Sequence, residues 1–148
     1  IARLFNTVGP RQTGNYGMVL PRFISQAMKG EPITVYGNGE QSRCFCNVKD
    51  VINALEILGK ESKANGEAFN IGSKNEISML GLANTVIQKT QSKSEIKLVS
   101  YSDVFSDGFE DMMKRKPNIS KMENYFQWKP SITLESSINQ IIKIFNAN

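Results

Sequence analysis

Residues 3–51, RLFNTVGPRQTGNYGMVLPRFISQAMKGEPITVYGNGEQSRCFCNVKDV, carry the reading of the fold. With Ile1 and Ala2, the start of this stretch reads as a strand over residues 1–6. A glycine- and proline-rich loop follows over 7–17. Leu20, Phe23, Ile24, Ala27 and Met28 then recur at helical spacing, which predicts a helix from about Met18. Pro21 falls in its first turn, where a missing amide costs little. Gly30 is placed to end it. Pro32 admits a short strand over 33–36, Gly37-Asn38-Gly39 a tight turn, and 42–48 a returning strand. Asn47 and Asp50 are candidate caps for a helix that runs to about Leu58 on a stripe of Val48, Val51, Ile52, Leu55 and Leu58.

Downstream the alternation continues. Residues 68–71 read as a buried strand closed by Gly72. Ser78 can cap a helix carrying Met79, Leu82, Ala83, Val86 and Ile87. Residues 95–100 read as a strand, and 101–117 as irregular loop. Ser120 to Glu123 has the spacing of a capping box and opens a short helix toward Trp128. Pro130 breaks it. Thr133 caps a last helix with Leu134, Ile138, Ile141, Ile142 and Phe145 on one face. Short strands alternating with helices give an α/β class.

The chain has 148 residues, one domain's length, and 22% of them are charged, which excludes disorder of the whole. No apolar run approaches the ~20 residues of a membrane helix. There is no histidine, so a histidine base, a serine–histidine pair and most zinc sites are excluded. Cys44 and Cys46 read as reduced thiols in or beside the core, in keeping with a cytoplasmic setting. The chain begins at Ile1 already strand-like, and is read as a piece of a longer protein. The net charge of +4 suits a phosphate-bearing ligand. A nucleic-acid module is disfavoured, because the lysines are scattered and no aromatics line a basic sheet face.

Several residues have the chemistry to hold such a ligand. Asn6 ends the opening strand, where ligands bind in open α/β sheets, and its amide can donate to a phosphate oxygen. Arg43 follows the Gly37–Gly39 turn and offers a planar, permanently charged fork. Thr34, Val35 and Tyr36 form a strand whose backbone could read a nucleobase edge, with Tyr36 packing on base or ribose. Val19, Leu20 and Pro21 would form an opposing apolar wall. Arg115, in Lys114-Arg115-Lys116-Pro117, and Arg11 are further candidate cations. Each also has a structural reading: Asn6 as a loop brace, Arg43 as a partner of Glu40 or Asp50, Arg115 as a local partner of Glu110 or Asp111, the apolar residues as core.

The run at 3–51, EAFNIGSKNEISMLGLA at 67–83, MKRKPNISKMENYFQWKP at 113–130 and the amphipathic terminal helix together resemble, in order and spacing, the C-terminal half of the NAD-dependent epimerase/dehydratase family, the extended short-chain dehydrogenase/reductases. The resemblance implies that residues 1–148 are the substrate-binding lobe with the last elements of a Rossmann half. It implies that Asn6, Arg43 and Arg115 reach the diphosphate or sugar of a nucleotide sugar. It also implies that Thr34, Val35, Tyr36, Val19 and Leu20 surround its base. Asn118 stands where the family has an aspartate. NAD and the Tyr-x-x-x-Lys pair would belong mainly to a half that precedes Ile1. Tyr125 to Lys129 matches that pattern literally, but ends a short helix before Pro130 and reads as a core aromatic cluster. The resemblance leans to a UDP-sugar 4-epimerase, with a UDP-glucuronate decarboxylase, a dTDP-glucose 4,6-dehydratase or a non-catalytic interaction module as alternatives. It further implies a homodimer when whole, and no catalysis by residues 1–148 alone.

Overall fold

A computed structural model describes residues 1–14, 18–104 and 111–147. Among these described residues, short strands pair mostly in parallel around five α-helices. Strand β1 (Ala2–Leu4) lies parallel to β6 (Phe69–Ile71), β2 (Thr7–Val8) to β5 (Cys46–Asn47), and β3 (Ile33–Tyr36) to β8 (Ile96–Val99). Strand β4 (Ser42–Cys44) sits between antiparallel β7 (Glu76–Ser78) and parallel β9 (Lys114–Arg115). The α/β class read from the alternation is therefore met.

Two apolar clusters hold the elements together. Helices α1 (Val19–Met28), α3 (Met79–Thr90) and α5 (Leu134–Phe145) pack over β3 with Leu20, Phe23, Ile24, Ile33, Val35, Leu82, Val86 and Ile138 fully buried. Helix α2 (Val48–Lys60) and helix α4 (Ser120–Phe126) pack over β6 with Val51, Ala54, Phe69, Ile71, Ile119 and Met122. Burial of this kind contributes on the order of 1.5–3 kcal/mol per large apolar side chain.

Polar caps fix where the helices start. Asn47 Oδ1 accepts from the Lys49 amide at 2.9 Å, while its Nδ2 donates to Ser137 Oγ at 2.8 Å and ties α5 to the head of α2. Ser78 and Thr133 cap α3 and α5 as their sequence positions suggest. Asp50 does not cap α2; buried, it accepts from Ser131 Oγ and the Ile132 amide and anchors the turn before α5. The capping box expected at Ser120 is absent too. Ser120 is already helical, and Asn118 Oδ1 accepts its amide at 3.0 Å.

Other differences have tertiary causes. The single strand expected over 42–48 is two strands that break at Phe45, each paired to a different neighbour. Strands β7 and β9 are too short to show a period, and exist because β4 offers them its two edges. Tyr125 packs edge-on to Phe69 at 5.7 Å and beside Phe126, and Gln127 turns left-handed to end α4. The aromatic cluster expected there forms at the edge of the core rather than within it, because Trp128 is buried while Tyr125 is exposed. Burial raises both thiols, Cys46 to about 12, so neither is poised to react. No helix of the described residues is long and apolar enough to cross a membrane.

Candidate functional site

The carboxyl ends of β1 and β3, the head of α1 and the β4–β9 pair converge on a cavity of about 350 Å³. Of the residues singled out from the sequence, Asn6, Val19, Tyr36, Arg43 and Arg115 line it. Leu20 and Val35 do not; both are fully buried in the apolar cluster behind its wall. Thr34 does not line it either. Its hydroxyl accepts from Arg22 Nη1 at 3.2 Å and Gln26 Nε2 at 3.0 Å. Pro21 is buried and Arg11 exposed, neither at the cavity.

The strand pairing explains the cations. Arg43 and Arg115 are direct partners in the parallel register of β4 and β9, so their side chains leave the sheet on the same face. Arg43 Nη2 meets Asp111 Oδ1 at 2.6 Å, and Nη1 donates to the Ser42 and Met112 carbonyls. Its partner is thus neither Glu40 nor Asp50. Arg115 lies 5.6 Å from the Phe5 ring; Glu110, the other local partner considered for it, lies outside the described residues, as do residues 15–17 of the first loop. Lys116 pairs with Glu76 at 3.2 Å. The described lining residues carry three guanidiniums, on Arg22, Arg43 and Arg115, against one carboxylate, on Asp111. Such an excess attracts an anion.

Asp111 is held by more than Arg43. Tyr101 Oη donates to Asp111 Oδ2 at 3.0 Å and accepts from Gln41 Nε2 at 3.0 Å, and Gln41 also donates to the Tyr36 carbonyl at 2.8 Å. Burial first, then the bond and charge of Asp111, push the Tyr101 hydroxyl up to about 12, so it stays a donor at neutral pH. The chain Tyr36–Gln41–Tyr101–Asp111–Arg43 therefore links Tyr36 to Arg43 through hydrogen bonds along the cavity lining. Gly37 makes room for it. Its φ is +65°, and a Cβ there would come within 2.6 Å of the Tyr101 ring. Replacing Gly37 by Ala is expected to swing Tyr101 aside, release Asp111 and weaken anion binding about tenfold, an effect read by calorimetry with UDP.

Asn6 braces and lines at once. Its backbone is left-handed at φ 42°, its carbonyl accepts from the Cys46 amide, and its Nδ2 donates to the Cys44 carbonyl at 2.9 Å. The bracing reading thus holds for one amide proton.

Arg22, Phe23, Gln41, Phe45, Met79, Tyr101 and Asp111 also line the cavity, and sequence reading did not single them out. Arg22 sits one turn past Val19 and Phe45 two residues past Arg43, so face arithmetic could have found both. Phe23 and Met79 hide in core stripes. Gln41, Tyr101 and Asp111 stand in aperiodic segments with no such signal.

A lobe of parallel strand pairs and helices that gathers paired arginines and a tyrosine at its strand ends is of the α/β class. The chain belongs to the family whose sequence profile is described as GDP-mannose 4,6 dehydratase, which matches residues 1–141. The expectation of an NAD-dependent epimerase/dehydratase family is thereby met. The chain is 40% identical over 146 residues to a UDP-N-acetyl-alpha-D-glucosaminuronate decarboxylase of Bacillus cytotoxicus, covering 98% of this chain and 45% of that protein. It is 37% identical to UDP-glucuronic acid decarboxylase 1 of Xenopus tropicalis, covering 98% of this chain and 32% of that protein. Among solved structures it resembles UDP-glucose 4-epimerase of Thermotoga maritima, determined with UDP-glucose, at a TM-score of 0.85 and 26% identity, covering 99% of this chain and 45% of that one. The chain thus spans less than half the length of these proteins.

Proposed function

We propose that this chain is the nucleotide-sugar-binding part of an NAD-dependent enzyme that decarboxylates a UDP-linked uronic sugar. The observation that carries the binding half of this reading is the side-by-side placement of Arg43 and Arg115 in one cavity with Tyr36. Two guanidiniums on adjacent strands match the two phosphates of a diphosphate, and the aromatic ring of Tyr36 in the same lining suits a base. Asn6 would add a neutral donor, and Val19 an apolar wall. The decarboxylation half is supported by what the relatives at 37% and 40% identity are named. It displaces the lean toward a 4-epimerase, which becomes the second reading, favoured by the likeness to the Thermotoga maritima enzyme.

In this reading the chain's residues bind and orient. Phosphate and base contacts, remote from the reacting carbon, hold the sugar in place for chemistry supplied by groups upstream of Ile1. NAD, when bound, supplies a hydride acceptor. The residues present fit its edge: Thr7 Oγ1 and Gln12 Oε1 are buried without a hydrogen-bond partner among the described residues, and border a pocket of about 70 Å³ that shares Asn6, Val19 and Phe45 with the main cavity. A donor and an acceptor of that kind suit a carboxamide.

The test is an assay of the whole protein with NAD and, separately, UDP-glucuronate and UDP-N-acetylglucosaminuronate, each labelled with carbon-13 at the carboxyl. Label leaving as carbon dioxide is the expected result. Label retained with inversion at C4 would overturn it in favour of the epimerase. Neither product, with UDP still bound, would mark a non-catalytic module.

A further inference from the structure

Arg22 borders the cavity beside Tyr36. Its guanidinium carbon stands 4.2 Å from the centre of the Tyr36 ring and 5.4 Å from that of Phe23. Its polar neighbours are the neutral side chains of Thr34 and Tyr36. Among the described residues no carboxylate lies within ion-pair distance of it, whereas Arg43 has Asp111. The group is half-buried, and burial pulls it below the ordinary arginine range. A guanidinium keeps its charge regardless, and carries five N–H donors and no acceptor. Donors in a half-dry wall seek acceptors from whatever fills the space.

The neighbouring strand has less to offer than its sequence suggested. The Tyr36 carbonyl is taken by Gln41 Nε2 at 2.8 Å, and the Thr34 amide donates to Gln26 Oε1 at 3.2 Å. Recognition of a base at this end therefore falls on a side chain.

We infer that Arg22 is a specificity residue that selects the nucleobase, favouring a pyrimidine with carbonyl oxygens at both positions 2 and 4 over one with an amino group at position 4. Stacking on Tyr36 fixes the plane of the fork, and the bond to Thr34 fixes its direction. Uracil and thymine present acceptors to such a fork. The discrimination lies at position 4: one N–H of the fork directed there meets an oxygen on uracil or thymine, but meets the amino donor of cytosine, whose remaining acceptors are N3 and the 2-oxygen.

This inference rests on the nucleotide-sugar reading, and one titration series separates the two. The 148-residue chain and its Arg22→Gln and Arg22→Lys variants are titrated calorimetrically with UDP, CDP and inorganic pyrophosphate. The unaltered chain is expected to bind UDP about tenfold more tightly than CDP. Arg22→Gln, which has both a donor and an acceptor, should weaken UDP about tenfold and bring the two nucleotides within about threefold of each other. Arg22→Lys keeps the charge without the planar fork and should lose most of the preference. Pyrophosphate affinity should stay within about twofold in both variants, which also reports that they are folded. If the variants keep the original preference for UDP over CDP, the inference is overturned and the nucleotide-sugar reading stands. If the unaltered chain binds none of the three, both fall.

Discussion

Arg43→Ala is expected to weaken binding of UDP to the 148-residue chain about a hundredfold or more, the largest effect of any single change at the cavity. Arg43 is anchored on four sides: by Asp111, by the Ser42 and Met112 carbonyls, and by its register beside Arg115. Removing it takes away a fork aimed at phosphate and also frees the Asp111 carboxylate. That carboxylate then faces the incoming anion without its cation. The pair is partly exposed, so the loss falls toward the lower end of the about 2–5 kcal/mol that truncating one member of a fully buried, hydrogen-bonded charge pair costs. Arg43→Lys should recover only part of the loss, because an ammonium cannot engage Asp111 and a phosphate in one plane. Calorimetry, with folding checked by circular dichroism, is the measurement. Binding within about threefold of the unaltered chain would remove Arg43 from the site.

Phe69→Ala is the change expected to cost the most stability, about 3–5 kcal/mol. Phe69 is almost fully buried in the cluster under α2 and α4, with Tyr125 at 5.7 Å and Phe126 at 5.3 Å from its ring. Alanine would leave a ring-sized void that these aromatics cannot close. A domain of this size holds only about 5–15 kcal/mol in total, so a loss of that size moves the urea midpoint far down. Phe69 does not line the cavity, so the protein that remains folded should bind UDP as before. A midpoint shift worth less than about 1 kcal/mol would show that the cluster repacks freely.

What could be read in the sequence divides along physical lines. Helices α2, α3 and α5 came through because each presents a long apolar stripe and a cap, as with Ser78 before Met79 and Thr133 before Leu134. Strands β7 and β9 did not, because two or three residues carry no period and only their neighbour β4 makes them strands. The site divides the same way. Arg43 and Asn6 were legible because turn chemistry and strand ends mark their places. Asp111 and Tyr101 were not, because they stand 10 positions apart in aperiodic chain and only the fold brings them onto Arg43. Val35 and Leu20 were read toward the ligand when their alternation equally fits the core, and burial decides for the core.

The most direct test of the account is a crystal structure of the 148-residue chain with UDP. The account expects both phosphates within hydrogen-bond distance of the Arg43 and Arg115 guanidiniums, and the uracil between Tyr36 and Val19. Density for UDP elsewhere on the surface, with Arg43 still closed on Asp111 and the cavity empty of nucleotide, would contradict it.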